Sequence, residues 1–126
     1  IEVVIDLHRD SVAADTRLVT EIEGQQTARF MFFNGLSRVR ELGEISYLPN
    51  ENLQGNLAFS FQLQRKAMEY YPGLTRKIYL KGYRYNMHLK TRTVLVELGA
   101  QNNTVQEAMN ACGPLARVLD MVLSGE

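Results

Sequence analysis

At 126 residues, 45% of them hydrophobic and 22% charged, the chain has the length and composition of one ordinary globular domain able to bury a core of its own. Its 14 basic and 14 acidic residues cancel and the basic ones do not cluster, so there is no electrostatic case for a nucleic-acid partner. The single cysteine, Cys112, excludes an internal disulfide and a cysteine-only zinc site, and no apolar run approaches the roughly 20 residues that cross a bilayer.

Ile1–Leu7 is β-branched and almost continuously apolar, the pattern of a buried parallel strand, and it opens the chain with no initiator Met, as expected of a fragment boundary. His8-Arg9-Asp10 follows at the carboxyl end of that strand, where α/β sheets carry their working groups. Arg17–Glu23 and Thr27–Phe33 read as a hairpin around Gly24-Gln25-Gln26. Residues 34–50, with Gly35, Gly43 and Pro49, read as a loop over one edge. Glu51–Tyr71 has helical periodicity through Leu53, Leu57, Phe61, Met68 and Tyr71, and Pro72-Gly73 stops it. Residues 76–89 are irregular and polar-aromatic, with room for one short strand at Lys77–Leu80. Thr93–Gly99 is a second buried strand. Thr104-Val105-Gln106-Glu107 is a capping box. It opens a helix whose apolar face is expected at Val105, Met109, Cys112, Ala116, Leu119 and Leu123, with a kink or break at Gly113-Pro114 and Cys112 buried. The class is α/β, a sheet flanked by helices.

Two strands end in residues that can do chemistry. Alternation puts Asp6, His8 and Asp10 on one side of the first strand, where a carboxylate can orient the imidazole of a zinc ligand; a satisfied edge histidine is the other reading. Glu97 ends the second strand. Burial there would raise its pKa toward the range of a general acid/base, while the alternative is a favourable charge before the following helix. His88 lies outside any clear strand and has no ligand spacing around it. Tyr70, Tyr71, Tyr79, Tyr83 and Tyr85 can floor a sugar or peptide groove or cover a sheet edge. Arg9, Arg76 and Arg84 can bind substrate carboxylates.

Taken in order, several segments resemble one family. Val4-Ile5-Asp6-Leu7-His8-Arg9-Asp10 is similar to the signature of stage II sporulation protein P, a cell-wall hydrolase family of endospore formers. The resemblance continues through residues 28–32, 56–58, 71–76 and 84–86, then Val94–Ala100 and Asn102–Ala108, and so covers nearly the whole chain. It implies an amidase-like fold, of which residues 1–126 are the C-terminal portion of a single catalytic domain, incomplete on its N-terminal side. It implies zinc as cofactor, with His8 as a ligand and Glu97 as the catalytic acid/base. The implied activity is cleavage between muramic acid and L-alanine in peptidoglycan, with endopeptidase action on stem peptides. Engulfment during sporulation, partnership with sporulation proteins D and M, and an extracytoplasmic, membrane-anchored location are implied too. A non-catalytic module binding peptidoglycan or a protein partner is the alternative.

A catalytic zinc takes about three protein ligands, and His8 and His88 are the only imidazoles here. The resemblance puts the missing ligands upstream, so this chain alone is expected to bind zinc weakly and to be inactive. The edge beside Ile1–Leu7 is expected to stand open, available to a second copy of the chain.

Overall fold

The computed structural model describes residues 1–41 and 43–125; Leu42 of the expected 34–50 loop and the terminal Glu126 lie outside the described residues. In chain order the elements are β1 (Val4–Asp10), β2 (Val19–Ile22), β3 (Gln25–Ala28), β4 (Phe30–Gly35), β5 (Arg38–Val39), β6 (Gly43–Glu44), α1 (Leu53–Tyr70), β7 (Tyr79–Lys81), β8 (Thr93–Ala100) and α2 (Val105–Ser124). One mixed sheet has the order β1-β8-β4-β7, with β1 parallel to β8, β8 antiparallel to β4 and β4 parallel to β7. The pairs β2–β3 and β5–β6 form small separate sheets.

β8 is buried along nearly its whole length because it lies inside the sheet with both faces covered, which explains its unbroken apolar sequence. Val94, Val96 and Leu98 join Phe30 and Phe32 on one face, against Phe59, Leu63 and Ala67 of α1 and Ala111, Leu115, Val118 and Met121 of α2. Both helices therefore cover the same face. Leu95 with Met31 and Phe33 lies on the other, where the irregular segment 82–92 folds over and buries Met87 completely. Flanking by helices is thus one-sided, and a loop closes the second side.

Several expectations need correction. The hairpin turn is Glu23-Gly24, both at positive φ (52° and 80°), closing the Ile22–Gln25 pair as a two-residue loop whose twist suits the strands. The run Thr27–Phe33 is not one strand: at Arg29, whose N–H donates to the Leu18 carbonyl, the chain leaves the hairpin and enters the main sheet. Alternation marks a residue's face but not which partner strand it joins. The third correction concerns both helices, which present faces rotated from those the apolar periodicity indicates. α1 buries Asn56, Phe59, Ser60, Leu63 and Ala67 and leaves Phe61 and Met68 exposed. Its buried polar groups are bonded: Asn56 Nδ2 donates to the Met87 carbonyl, its Oδ1 accepts the Thr93 N–H, and the Asn34 amide donates to Ser60 Oγ.

α2 runs through Gly113-Pro114 without a break, and Val105, Met109 and Cys112 are exposed rather than buried. With Leu7 and Leu98 they line an open, mostly apolar groove of about 350 Å³ beside β1, which forms one end of the sheet. Among the described residues, no helix is long and apolar enough to cross a membrane.

The capping box forms as the sequence indicates. Thr104 Oγ1 accepts the Glu107 N–H at 3.0 Å and Glu107 Oε1 accepts the Thr104 N–H at 2.9 Å. Glu107 is buried and also takes Arg17 on its carboxylate, so the Thr104 backbone donor first, and Arg17 after it, hold its pKa below the ordinary value. A depressed carboxyl pKa contributes stability that is present above the unfolded-state value and lost as pH falls through the folded one. Glu107→Gln is expected to cost about 1–2 kcal/mol at pH 7 and nothing once wild type is itself protonated. Thermal unfolding of the two proteins at pH 7 and pH 3 checks this, and a gap that stays constant between those pH values would refute it.

Candidate active site

Parallel pairing of β1 with β8 sets His8 directly beside Glu97, Asp6 beside Leu95, and Asp10, after a register shift, beside Ala100. Across β8, Glu97 is paired with Met31 of β4. Strand alternation then puts Asp6, His8 and Glu97 on the face opposite the helices, and this follows from two short stretches of sequence meeting in register.

His8 Nε2 lies 2.8 Å from Asp6 Oδ1, and Asp6 Oδ2 accepts the Asn86 amide at 3.0 Å. With Nε2–H donating to the carboxylate, Nδ1 of a neutral ring is left as the free lone pair, the arrangement in which a carboxylate fixes the tautomer of a ligating histidine. The imidazole is about half exposed, open to a substrate or ion. Asp10 does something else: its Oδ2 accepts Arg76 Nη1 at 2.7 Å and its Oδ1 accepts the Ser11 N–H. Glu97 is partly buried and its Oε2, fully out of solvent, has no hydrogen-bond partner among the described residues. Burial is the main cause that raises its pKa; the Asp10 charge adds to the rise, while His8 and Arg76 oppose it. A raised carboxyl with an unpartnered oxygen, next to an oriented imidazole on the neighbouring strand, can accept a proton from water and return it to a leaving group.

The arginines separate. Arg76 stands beside Asp10 and within the field of Glu97; Arg9 donates to the Ala100 carbonyl at 2.9 Å and Arg84 to the Pro49 carbonyl at 3.4 Å, each away from the His8–Glu97 pair. His88 lines a separate surface hollow with Pro49, Glu51 and Arg84. Tyr79 and Tyr85 pack on Phe33 on the Glu97 face, whereas Tyr71 belongs to the core under the helices. Asn86 is the site residue that sequence reasoning passes over. It falls within the resemblance, but nothing in its neighbours marks it, since its role comes from a contact spanning 80 positions.

Metal fit can be judged from the donors present. Among the described residues no group of three His, Cys, Asp or Glu side chains could hold an ion. His8 offers one free nitrogen, but its nearest carboxylate, Asp6, is engaged with it and with Asn86. These residues do not by themselves make a zinc centre.

The profile of the family described as stage II sporulation protein P (SpoIIP) matches residues 1–120. The chain belongs to the stage II sporulation protein P family. Stage II sporulation protein P of Bacillus subtilis (strain 168) is 28% identical over 123 residues, which cover 94% of this chain and 27% of the relative. The chain thus spans about a quarter of the length of the SpoIIP relative it matches. No solved structure gives a significant match. SpoIIP membership carries a role in sporulation, and both β1 and β8 lie inside the matched residues.

Proposed function

We propose that this SpoIIP chain forms the proton-transfer side of the active site of a peptidoglycan hydrolase, an N-acetylmuramoyl-L-alanine amidase with endopeptidase action on stem peptides. The observation that carries this reading is the cross-strand pairing of His8 with Glu97, which sets an oriented imidazole on the same face as a carboxyl whose buried oxygen is unpartnered. Glu97 takes the proton of the attacking water and delivers it to the departing amine, and its raised pKa suits both halves of that exchange. Asp6, held by Asn86, keeps His8 in one tautomer, and Asp10 fixes Arg76 beside Glu97, where a guanidinium can receive a substrate carboxylate.

Zinc belongs to the proposal only through His8, as a single ligand; the remaining donors come from outside the described residues. The reading extends to engulfment, outside the cytoplasmic membrane, in a membrane-anchored protein working with sporulation proteins D and M.

The test is purified peptidoglycan treated with the full-length protein, with zinc or with a chelator, and scored for new L-alanine amino termini. Chelator-sensitive release that is lost in His8→Ala is the expected outcome. The 126-residue chain alone is expected to retain no stoichiometric zinc after dialysis; tight one-to-one zinc in it would overturn the divided ligand set. Glycan binding by a well-folded full-length protein without hydrolysis would favour a binding module instead.

A further inference from the structure

We infer that the aromatic row of Tyr79, Tyr85 and Tyr83, built out from Phe33 on the Glu97 face, is a shelf on which the sugar rings of the glycan strand stack. The inference rests on the peptidoglycan reading and names the part of the substrate this surface takes.

The row follows from three pieces of sequence. β4 and β7 pair in parallel with Phe33 beside Tyr79, and their rings stack at 5.1 Å and 24° between planes. Tyr85 meets Phe33 edge-on at 5.0 Å, and Tyr83 meets Tyr85 edge-on at 6.4 Å. Phe33 is buried by these neighbours, but the tyrosines remain open, with Tyr79, Tyr83 and Tyr85 at 44%, 65% and 40% exposure. Covering Phe33 accounts for Tyr79 and Tyr85. It does not account for Tyr83, the most exposed of the three, whose aromatic neighbour among the described residues is Tyr85.

The segment that carries these rings is fixed from both sides. Gly35 lets the β4 backbone approach the Tyr83 and Arg84 carbonyls. Met87 is fully buried with its carbonyl bound by Asn56, and Asn86 ties the segment to Asp6. Tyr85 itself holds φ at 54°, a conformation an aromatic residue rarely adopts unless its surroundings impose it. The rings are thus presented on a rigid mount, and rigid aromatic surfaces lose little entropy when they bind.

Position identifies the occupant. Tyr79 lies two strands from Glu97 and its Phe33 partner pairs with Leu95, one alternation step away, so strand spacing puts the shelf roughly 12 Å from the carboxyl. A polymer whose scissile amide sits at Glu97 extends across this face. The C–H faces of pyranose rings are flat and weakly apolar, which matches the exposed faces of aromatic rings. A stem peptide has no such flat repeating face.

The experiment uses the full-length protein with Glu97→Gln in the background, so that hydrolysis does not intrude, and glycan chains enzymatically stripped of peptide as the probe. Calorimetric titration is expected to give binding that Tyr83→Ala weakens roughly fivefold to tenfold, and that Tyr83→Phe leaves nearly intact, with circular dichroism unchanged in both. A free stem peptide should bind these variants equally. Glycan affinity indifferent to Tyr83→Ala, no glycan binding at all, or an equal loss toward the peptide would each overturn the shelf. Failure of the hydrolase reading is seen separately: it is the absence of L-alanine release by the unsubstituted protein, whatever the glycan titration gives.

Discussion

Replacing Glu97 by Gln is expected to reduce release of L-alanine termini from peptidoglycan by about 10²–10⁴-fold while leaving the fold intact. Glu97 is the group assigned to take and return the proton, and Gln keeps its shape without that capacity. The same substitution is expected to raise stability by up to about 1 kcal/mol, because it removes a charge from an oxygen that burial has left without a donor. An amide there still lacks a partner, which keeps the gain small. The two effects have opposite signs, and that combination separates a functional carboxylate from a structural one. Activity within tenfold of wild type, or a marked loss of thermal stability, would sink the assignment.

Gly35→Ala is expected to cost roughly 3 kcal/mol, and hydrolysis should fall with it. A Cβ at this position would stand 2.4 Å from the Tyr83 carbonyl oxygen and 2.5 Å from that of Arg84. Both are backbone atoms and cannot swing aside as a side chain would. Their segment cannot retreat freely either, because Met87 is buried beneath it and Asn86 is bonded to Asp6. Relief of the clash would therefore reach His8 through Asp6. Gly113 is the contrast: inside α2, a Cβ there meets nothing within 4 Å apart from its chain neighbours, and Gly113→Ala should cost well under half as much, the helix propensity of Ala being offset by its contact with the Pro114 ring. Urea unfolding of the two variants, with unchanged denaturant slopes, checks the pair. Equal midpoints would show that the Gly35 contact is not the constraint described here.

The parts of the fold that sequence discloses are those governed by local rules. β8 is readable because both its faces are apolar, and α2 announces its start because the capping box lies within four consecutive residues. β1 is legible as a strand, yet Ile5 and Leu7 are exposed, because sheet order puts it at an edge and no local pattern encodes sheet order. Helix faces are misread for a related reason. Asn56 and Ser60 earn burial through partners far along the chain, at Met87, Thr93 and Asn34, so an apolar count turns each helix toward Phe61 or Met109 instead. The site divides in the same way. His8 and Glu97 stand out because each is a polar residue ending an apolar strand. Asn86, and the different duties of Asp6 and Asp10, become visible only when strands about 90 residues apart are laid side by side.

Asn56 gives the molecule an unexpected chain of dependence. One amide on α1 grips the Met87 carbonyl with its nitrogen and the Thr93 N–H with its oxygen, so it fastens both the end of the aromatic segment and the start of β8. The Glu97 side of the sheet thereby takes its order from a helix on the opposite side. Loosening the first turns of α1 frees Tyr85, Asn86 and β8 together, which makes the helix and the Glu97 face a single cooperative unit. Damage to the helix side of the sheet would then be felt as lost alignment at Glu97.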